Sequence, residues 1–169
     1  HHNISREDNE ERADWREDMK DLPDHRYEKP KAKVVYFVGC VASLFPMAQN
    51  IPRNMVRILS AANVDFTLLA GDEWCCGFPM TGAGAEEGMD NFVRHNVLKV
   101  RSLEAESVLF SCPSCYRMWR EHYTNDIKLF HSTQFIEQLI DKNALSFKEL
   151  PGSVTYHDPC DLGRNGGEY

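Results

Sequence analysis

The stretch KVVYFVGC, residues 33–40, is a continuous run of β-branched and aromatic residues that ends in Gly39 and Cys40. A run that is apolar on both faces suits a buried strand of a parallel sheet. The pattern returns twice: DFTLLAGDEW (65–74) runs into Cys75 and Cys76, and SVLFSCPSC (107–115) again ends at cysteine. The sequence therefore predicts three buried strands, each of which leads into cysteine.

Segments with the apolar spacing of helices separate these strands. Pro52 lies near the start of the first helix, and Glu86 and Glu87 lie near the N-terminal end of the second, both favourable positions. IKLFH (127–131) predicts a short strand, and SVTYHDPC (153–160) predicts one more strand that stops at a cysteine. This alternation is typical of an α/β domain with a mostly parallel sheet. The predicted helices are NIPRNMVRILSAANV (50–64), GAEEGMDNFVRHNVLKVRSLEA (84–105), YRMWREHYTND (116–126) and STQFIEQLIDKN (132–143), the last with Ser132 as its N-cap.

All six cysteines fall at the C-terminal ends of predicted strands. In open α/β sheets those ends form the crevice where ligands bind. The intervals between the first three groups are each about one strand–helix–strand unit of roughly 30 residues. The fold would therefore gather five thiols on one rim of the sheet. These five are Cys40, Cys75, Cys76, Cys112 and Cys115, and the sixth cysteine is Cys160.

Thiols gathered in this way indicate a metal or redox site. The chain has 6 cysteines in 169 residues and no secretion signal is predicted, which favours a reducing compartment over disulfides. A structural zinc takes four ligands in a tetrahedron, so five thiolates with an adjacent pair overfill it. An iron–sulfur cluster has several irons that neighbouring cysteines can serve. The spacing favours the cluster, and zinc, a redox dithiol or inert cysteines stay open as alternatives.

Charge and hydropathy exclude several classes of protein. The net charge of −7 gives no phosphate-binding surface, so a nucleic-acid partner is not expected. No run approaches the roughly 18 apolar residues of a membrane span. The chain is polar from its first residue, so no signal peptide is predicted. We expect a cytoplasmic chain without a transmembrane segment.

The cysteine phrases VVYFVGC, WCCGFPM, SCPSCYRMW and VTYHDPCDLGR resemble the cysteine-rich CCG domain. That domain occurs in the catalytic subunits of heterodisulfide reductases and in related iron–sulfur oxidoreductases, including glycolate oxidase iron–sulfur subunits. The likeness spans residues 33–169, nearly the whole part expected to fold. It implies a subunit of an iron–sulfur oxidoreductase.

The resemblance also implies a cofactor and partners. Cys40, Cys75, Cys76, Cys112 and Cys115 match the five ligands of a [4Fe-4S] cluster of noncubane form. Such clusters are proposed to cleave or form disulfides by binding substrate sulfur at iron. Activity would then require other subunits of a redox complex, of ferredoxin, flavoprotein or membrane-cytochrome type. The chain would lie in the cytoplasm, at the cytoplasmic face of such a complex if that complex is membrane-bound.

The family's tandem repeat gives the expected domain organisation. Residues 1–32 form a polar arm that resembles the connector after a two-cluster ferredoxin module. Residues 33–150 form the first CCG domain, and residues 151–169 resemble the opening of a second, truncated copy. Cys160 would then be the first ligand of a second site. On this interpretation the chain is a fragment.

Three details of the site follow. Adjacent Cys75 and Cys76 would let one strand end reach two irons, and Gly77 would let the backbone turn beside them. Backbone N–H groups at helix starts would offset the charge of the extra thiolate. The flanking aromatic residues would shield the site from water. The alternative function is a non-catalytic module that holds structural zinc or a relay cluster within a larger complex.

Overall fold

The computed structural model describes residues 1–17, 19–21, 27–123, 126–149 and 151–169. Parts of the predicted arm (18 and 22–26), the end of the third predicted helix (124–125) and residue 150 lie outside the described residues. The strands are Val34–Phe37 (β1), Phe66–Leu68 (β2), Ser107–Phe110 (β3) and Lys128–His131 (β4). The α-helices are Cys40–Leu44 (α1), Asn50–Ala61 (α2), Phe78–Gly82 (α3), Met89–Ser102 (α4), Pro113–His122 (α5) and Ser132–Asp141 (α6), and short 3₁₀ helices cover Asn9–Arg16, Pro46–Ala48 and Ala70–Asp72.

The four strands form one parallel sheet in the order β2-β1-β3-β4. Val34 of β1 lies opposite Phe66 of β2 on one side and Ser107 of β3 on the other. The chain therefore moves outward from β1 in both directions, and the strand order reverses beside β1. This confirms the predicted α/β class, and it places a topological switch point, the usual ligand crevice of such sheets, between β1 and β3.

Both faces of the sheet are covered, as the continuous apolar strands predict. Val35 and Phe37 of β1 face one core with Val108 and Phe110 of β3, against α4 and α5. The neighbouring residues of the same strands face a second core that includes residues of α2 and of the N-terminal arm. Helices on both faces leave the two ends of the sheet open, so the loops at the carboxyl end can build a site.

The arm packs on this second core. Trp15, in the 3₁₀ helix Asn9–Arg16, and Met19, beyond its end, are each 1% exposed. Further along, Leu68 N–H donates to the carbonyl of Tyr27 (2.6 Å), and Lys29 N–H donates to the hydroxyl of Thr67 (2.8 Å). The arm therefore also runs along the outer edge of β2 and occupies backbone groups that an edge strand leaves free.

Two predictions about secondary structure are wrong. SVTYHDPC (153–160) forms no strand: Val154 is 98% exposed and Tyr156 69% exposed, so the alternating residues bury nothing there. Cys160 consequently does not end a strand. Helix α6 is capped by His131 in place of Ser132, because the His131 ring accepts from Thr133 N–H while the Gln134 side chain accepts from His131 N–H.

Membrane-spanning helices are absent from the part of the chain that the structure describes, since none there is both long enough and apolar enough.

Candidate metal centre

Five cysteines line one cavity at the carboxyl end of the sheet. Cys40 opens α1 after β1, the adjacent pair lies in the loop between β2 and α3, and Cys112 and Cys115 flank the start of α5 after β3. The cavity has a volume of about 310 Å³, within the range of small-molecule and cofactor sites. The structure therefore brings together the five cysteines that the sequence singled out: Cys40, Cys75, Cys76, Cys112 and Cys115.

The five sulfurs form a continuous row. Interactions between neighbouring thiols link Cys40 with Cys75, Cys75 with Cys76, Cys76 with Cys115 and Cys115 with Cys112, and each shifts the pKa of the thiols that it joins. Cys76 lies at the middle of the row. Bonds from Cys115 and Cys75 lower the pKa of its thiol to about 5, against the effect of burial. A thiolate at this point is stabilised by its neighbours, which is the protonation state that metal binding requires.

Neighbouring thiols also shift the pKa values of the other cysteines in the row. The hydrogen bond with Cys75, then burial, raises the pKa of Cys40, and bonds to Cys112 and Cys76 raise the pKa of Cys115. The bond from Cys115 lowers the pKa of Cys112 to about 7. Cys75 is intermediate, because Cys40 acts to lower its pKa and Cys76 acts to raise it.

Backbone N–H groups point at these sulfurs. Phe78 N–H acts to lower the pKa of Cys76, and Gly77 N–H acts to lower that of Cys75. In the third loop, Ser114 N–H and Cys115 N–H act to lower the pKa of Cys112. These donors lie where the sequence placed them, in the turns that start α3 and α5. They supply partial positive charge without any side chain.

Two glycines next to the cysteines have a left-handed backbone and little space for a side chain. Gly77 has φ +96°, and a Cβ there would lie 3.1 Å from Cγ of Met89. Gly39, which precedes Cys40, has φ +83°, and a Cβ there would lie 3.2 Å from the sulfur of Cys115. Left-handed backbone favours glycine at both positions. The backbone thus closes around the cysteine row with no room for larger residues.

A buried hydrogen-bond network holds the Cys75–Cys76 loop. Asn96 of α4, which is fully buried, accepts from Trp74 N–H (3.0 Å) and donates to the carbonyls of Trp74 (3.2 Å) and Cys75 (3.3 Å). Tyr123 donates its hydroxyl to the carbonyl of Cys76 (3.1 Å) and accepts from Asn96 (3.2 Å). Asn96 of α4 and Tyr123, which follows α5, therefore fix the position of the adjacent cysteines.

A buried arginine from the arm reaches the other end of the row. Arg12, 2% exposed, donates from Nη2 to the sulfur of Cys40 (2.9 Å) and from Nη1 to Glu73 (2.9 Å). Glu73 also accepts from the N–H groups of Val38 and Gly39, both at 2.8 Å. One ion pair therefore ties the arm to the loop before Cys40 and to the residue two positions before Cys75.

Cys160 lies apart from the row and is exposed. Its neighbour Asp161 accepts from Ser114 (2.5 Å) and from Arg117 (3.0 Å), so the C-terminal segment docks on the start of α5. The expectation that Cys160 is a ligand of a second site stays a prediction.

The aromatic residues that flank the cysteines differ in whether they line the cavity. Phe78 lines the cavity, whereas Tyr116 and Trp119 belong to the core beneath it. Trp74 instead stacks between the rings of His2 and His95, with ring centroids 3.5 Å and 3.8 Å away. Of the four, Phe78 has the position expected of a residue that shields the cavity.

The donor set of the cavity consists of thiols alone. The sulfurs are spread along the wall of a cavity, and thiolates are the ligands of iron–sulfur clusters. The residues present therefore fit such a cluster in both number and chemistry.

Sequence reasoning missed the residues that support the row. Arg12, Glu73, Asn96 and Tyr123 are polar side chains in segments predicted as arm, strand and helices, and their partners are distant in sequence. The nearest signal was the position of Arg12 three residues before Trp15, on the apolar side of the arm helix.

Comparisons with known proteins agree with this geometry. The family model described as a cysteine-rich domain, CCG, matches residues 34–120. A subunit of the dihydromethanophenazine:CoB–CoM heterodisulfide reductase of Methanosarcina acetivorans is 35% identical over 149 residues, which cover 82% of this chain and 36% of the relative. The corresponding subunit of the Methanosarcina barkeri enzyme is 31% identical, covering 100% of this chain and 42% of the relative.

A more distant relative, an iron–sulfur protein of Methanococcus maripaludis, is 27% identical over 91% of this chain and 30% of its own length. The chain thus spans about two fifths or less of the length of these relatives. No solved structure gives a significant match. The matched model begins with β1 and ends within α5, so it encloses all five cysteines of the cavity, and the chain belongs to the family of the cysteine-rich CCG domain.

Proposed function

We propose that the chain is the cluster-binding part of an iron–sulfur oxidoreductase subunit, and that its five clustered cysteines hold a [4Fe-4S] cluster of noncubane form. The observation that carries this proposal is the row of five sulfurs, drawn from three strand ends, along one cavity. The names of the relatives, a heterodisulfide reductase and an iron–sulfur protein, support it.

The adjacent pair is the best argument for a cluster over zinc. A tetrahedral zinc needs four thiolates facing one point, and a fifth would be redundant. Here the pKa of Cys75 is influenced by Cys40, and that of Cys76 by Cys115, so each has a different further thiol as its neighbour. Neighbouring residues therefore face opposite halves of the row, as ligands of different irons would.

We further propose that the reaction is the reduction of a disulfide, or its reverse. The cavity mouth is apolar, with Ile4 40% exposed, Val41 52% exposed and Phe78 36% exposed, and no lining residue among those described is an acid or a base other than cysteine. A sulfur compound can enter such a site without losing strong hydration. The disulfide bond breaks, each sulfur takes one electron and one proton, and two thiols leave. The bound cluster would supply a metal atom for substrate sulfur, and the electrons would come one at a time from an iron–sulfur or flavin group of a partner.

The protein residues have defined tasks in this proposal. Asn96 and Tyr123 hold the Cys75–Cys76 loop, and Ile4, Val41 and Phe78 limit the access of water. The partner is an electron-carrying subunit of a redox complex, of ferredoxin, flavoprotein or membrane-cytochrome type, and the chain works in the cytoplasm or at the cytoplasmic face of that complex.

Anaerobic purification followed by iron, acid-labile sulfide and zinc analysis tests the cofactor. We expect iron and sulfide in similar amounts and little zinc. Cys75→Ser and Cys76→Ser should each remove or convert the cluster, whereas Cys160→Ser, at an exposed cysteine outside the cavity, should keep it. Zinc without sulfide, or full iron and sulfide in either variant of the pair, would contradict five-cysteine cluster ligation.

A small thiol tests the substrate class. Adding 2-mercaptoethanol to the oxidised protein should change its EPR spectrum, because sulfur binds close to the cluster. An unchanged spectrum, with the cluster intact, would refute direct sulfur binding and favour a relay cluster.

A further inference from the structure

The strongest unassigned feature is the buried guanidinium of Arg12 at the end of the cysteine row. Its two terminal nitrogens bond to different acceptors: Nη1 to Glu73 and Nη2 to the sulfur of Cys40, both at 2.9 Å. Arginine stays protonated in proteins and presents its donors as a rigid planar fork. A full positive charge therefore lies in contact with one of the five sulfurs.

Glu73 fixes the orientation of this fork. Its side chain is 2% exposed, and it accepts from Val38 N–H and Gly39 N–H as well as from Arg12. Burial raises the pKa of this carboxyl, and the charge of Arg12 and the two N–H donors act against that shift. A carboxylate with this many donors is held in one position. Because Val38 and Gly39 lead directly into Cys40, the same carboxylate positions both the arginine and the cysteine that it contacts.

The arm that carries Arg12 is itself part of the cavity. The carbonyl of His2 accepts from Cys75 N–H (2.8 Å), and Ile4 lines the cavity wall. Asn9 donates to the carbonyls of Gly71 (3.3 Å) and Glu73 (3.1 Å). Contacts spread over residues 2–12 hold the arm against the cysteine loops, so the position of Arg12 is determined by the fold.

We propose that Arg12 is a positioning residue that holds the thiolate of Cys40 and raises the reduction potential of the cluster. The inference rests on the proposed cluster at the five cysteines. A five-thiolate site carries one negative charge more than the usual four, and reduction adds another. A cation in contact with a ligand sulfur, in a buried and weakly screened site, stabilises the reduced form more than the oxidised form.

The test compares the midpoint potential of the cluster in two variants that change the local charge in opposite directions. The potentials are measured by anaerobic redox titration with EPR detection. Arg12→Gln removes the positive charge and should move the potential to more negative values. Glu73→Gln removes the opposing negative charge, keeps the charge of Arg12 and an amide oxygen that can accept from it, and should move the potential to more positive values. A merely structural disturbance would not produce shifts of opposite sign.

Two further variants complete the comparison. Arg12→Lys keeps the charge without the fork, so its potential should lie closer to the wild type than that of Arg12→Gln. Arg16→Gln is the matched control, because Arg16 lies one helical turn further along the arm and pairs with exposed Glu28; its potential should not change. Urea unfolding of each apoprotein establishes that the variants are folded.

The outcomes separate this inference from the function on which it rests. A wild-type protein that binds no iron and sulfide would overturn the proposed function. A wild-type protein with a cluster, together with an Arg12→Gln variant of unchanged potential, would overturn the role of Arg12 alone. If Arg12→Gln fails to fold, a Glu73→Gln potential that stays equal to the wild type, or moves to more negative values, overturns it.

Discussion

Replacing Asn96 with alanine should destabilise the protein by about 3 kcal/mol, because it removes the support of the Cys75–Cys76 loop. The Asn96 side chain makes four hydrogen bonds, two with Trp74, one with Cys75 and one with Tyr123. Each neutral bond contributes about 1 kcal/mol, and a buried group left without a partner costs about 1–3 kcal/mol. The residue is fully buried, so water reaches the freed groups with difficulty.

Urea unfolding of the apoprotein, followed by circular dichroism, measures this change. With a slope of about 2 kcal/mol per molar urea, the midpoint should fall by about 1.5 M. Asn91→Ala is the matched control: it lies on the same helix, is exposed, and should change stability by less than about 0.5 kcal/mol.

A loss below about 1 kcal/mol for Asn96→Ala would refute the reasoning, since it would mean that the four hydrogen bonds contribute no more than an ordinary surface contact. The variant should also retain less iron after reconstitution than Asn91→Ala, because the loop that carries two of the proposed ligands is no longer fixed.

Gly77→Ala should lose about 1–2 kcal/mol more than Gly88→Ala in urea unfolding, since both have left-handed backbone (φ +96° and +92°) but only Gly77 lacks space for a Cβ; equal losses would contradict the steric argument. Trp15→Ala should cost about 3–5 kcal/mol because the indole is 1% exposed, and a loss near zero would show that the arm is not part of the folded unit. The Lys29 ammonium lowers the pKa of Asp65 below its ordinary value of 3.8, so the stability that this pair gives is present above that value and is lost as the pH falls through the lower, folded pKa. Asp65→Asn should therefore show a smaller fall in urea midpoint than the wild type between about pH 5 and pH 3, and parallel curves would exclude this carboxyl as the cause.

The sheet and the grouping of the cysteines can be predicted from the sequence for one physical reason. Buried parallel strands are apolar on both faces, and KVVYFVGC and SVLF have that pattern. Once the strands are known to be parallel, their carboxyl ends lie at one edge, and the residues that follow them must be neighbours. The position of Cys40 near Cys115 follows from this topology without any information about side chains.

The supporting residues cannot be predicted in the same way. Arg12 lies in a polar segment and Glu73 at the polar end of a predicted strand, where both look like ordinary surface charges, and only the docking of the arm buries them together. The pattern of SVTYHDPC has the composition of a strand, but a strand also needs a neighbour, and sequence pattern does not reveal whether one exists. Local sequence pattern predicts helices and strands. Contacts between distant segments determine whether Arg12 and Glu73 are buried and whether SVTYHDPC forms a strand.

The strand order β2-β1-β3-β4 also sets the order in which the sheet can assemble during synthesis. Synthesis delivers β1 and β2 first, but β1 must wait for β3 to occupy its other side, and only then does Cys115 come next to Gly39. Such non-local pairings form late in folding. Until that moment the cavity lacks the wall that carries Cys112 and Cys115. Oxidants met before β3 joins the sheet therefore encounter thiols that the complete fold buries, among them Cys40, Cys75 and Cys76.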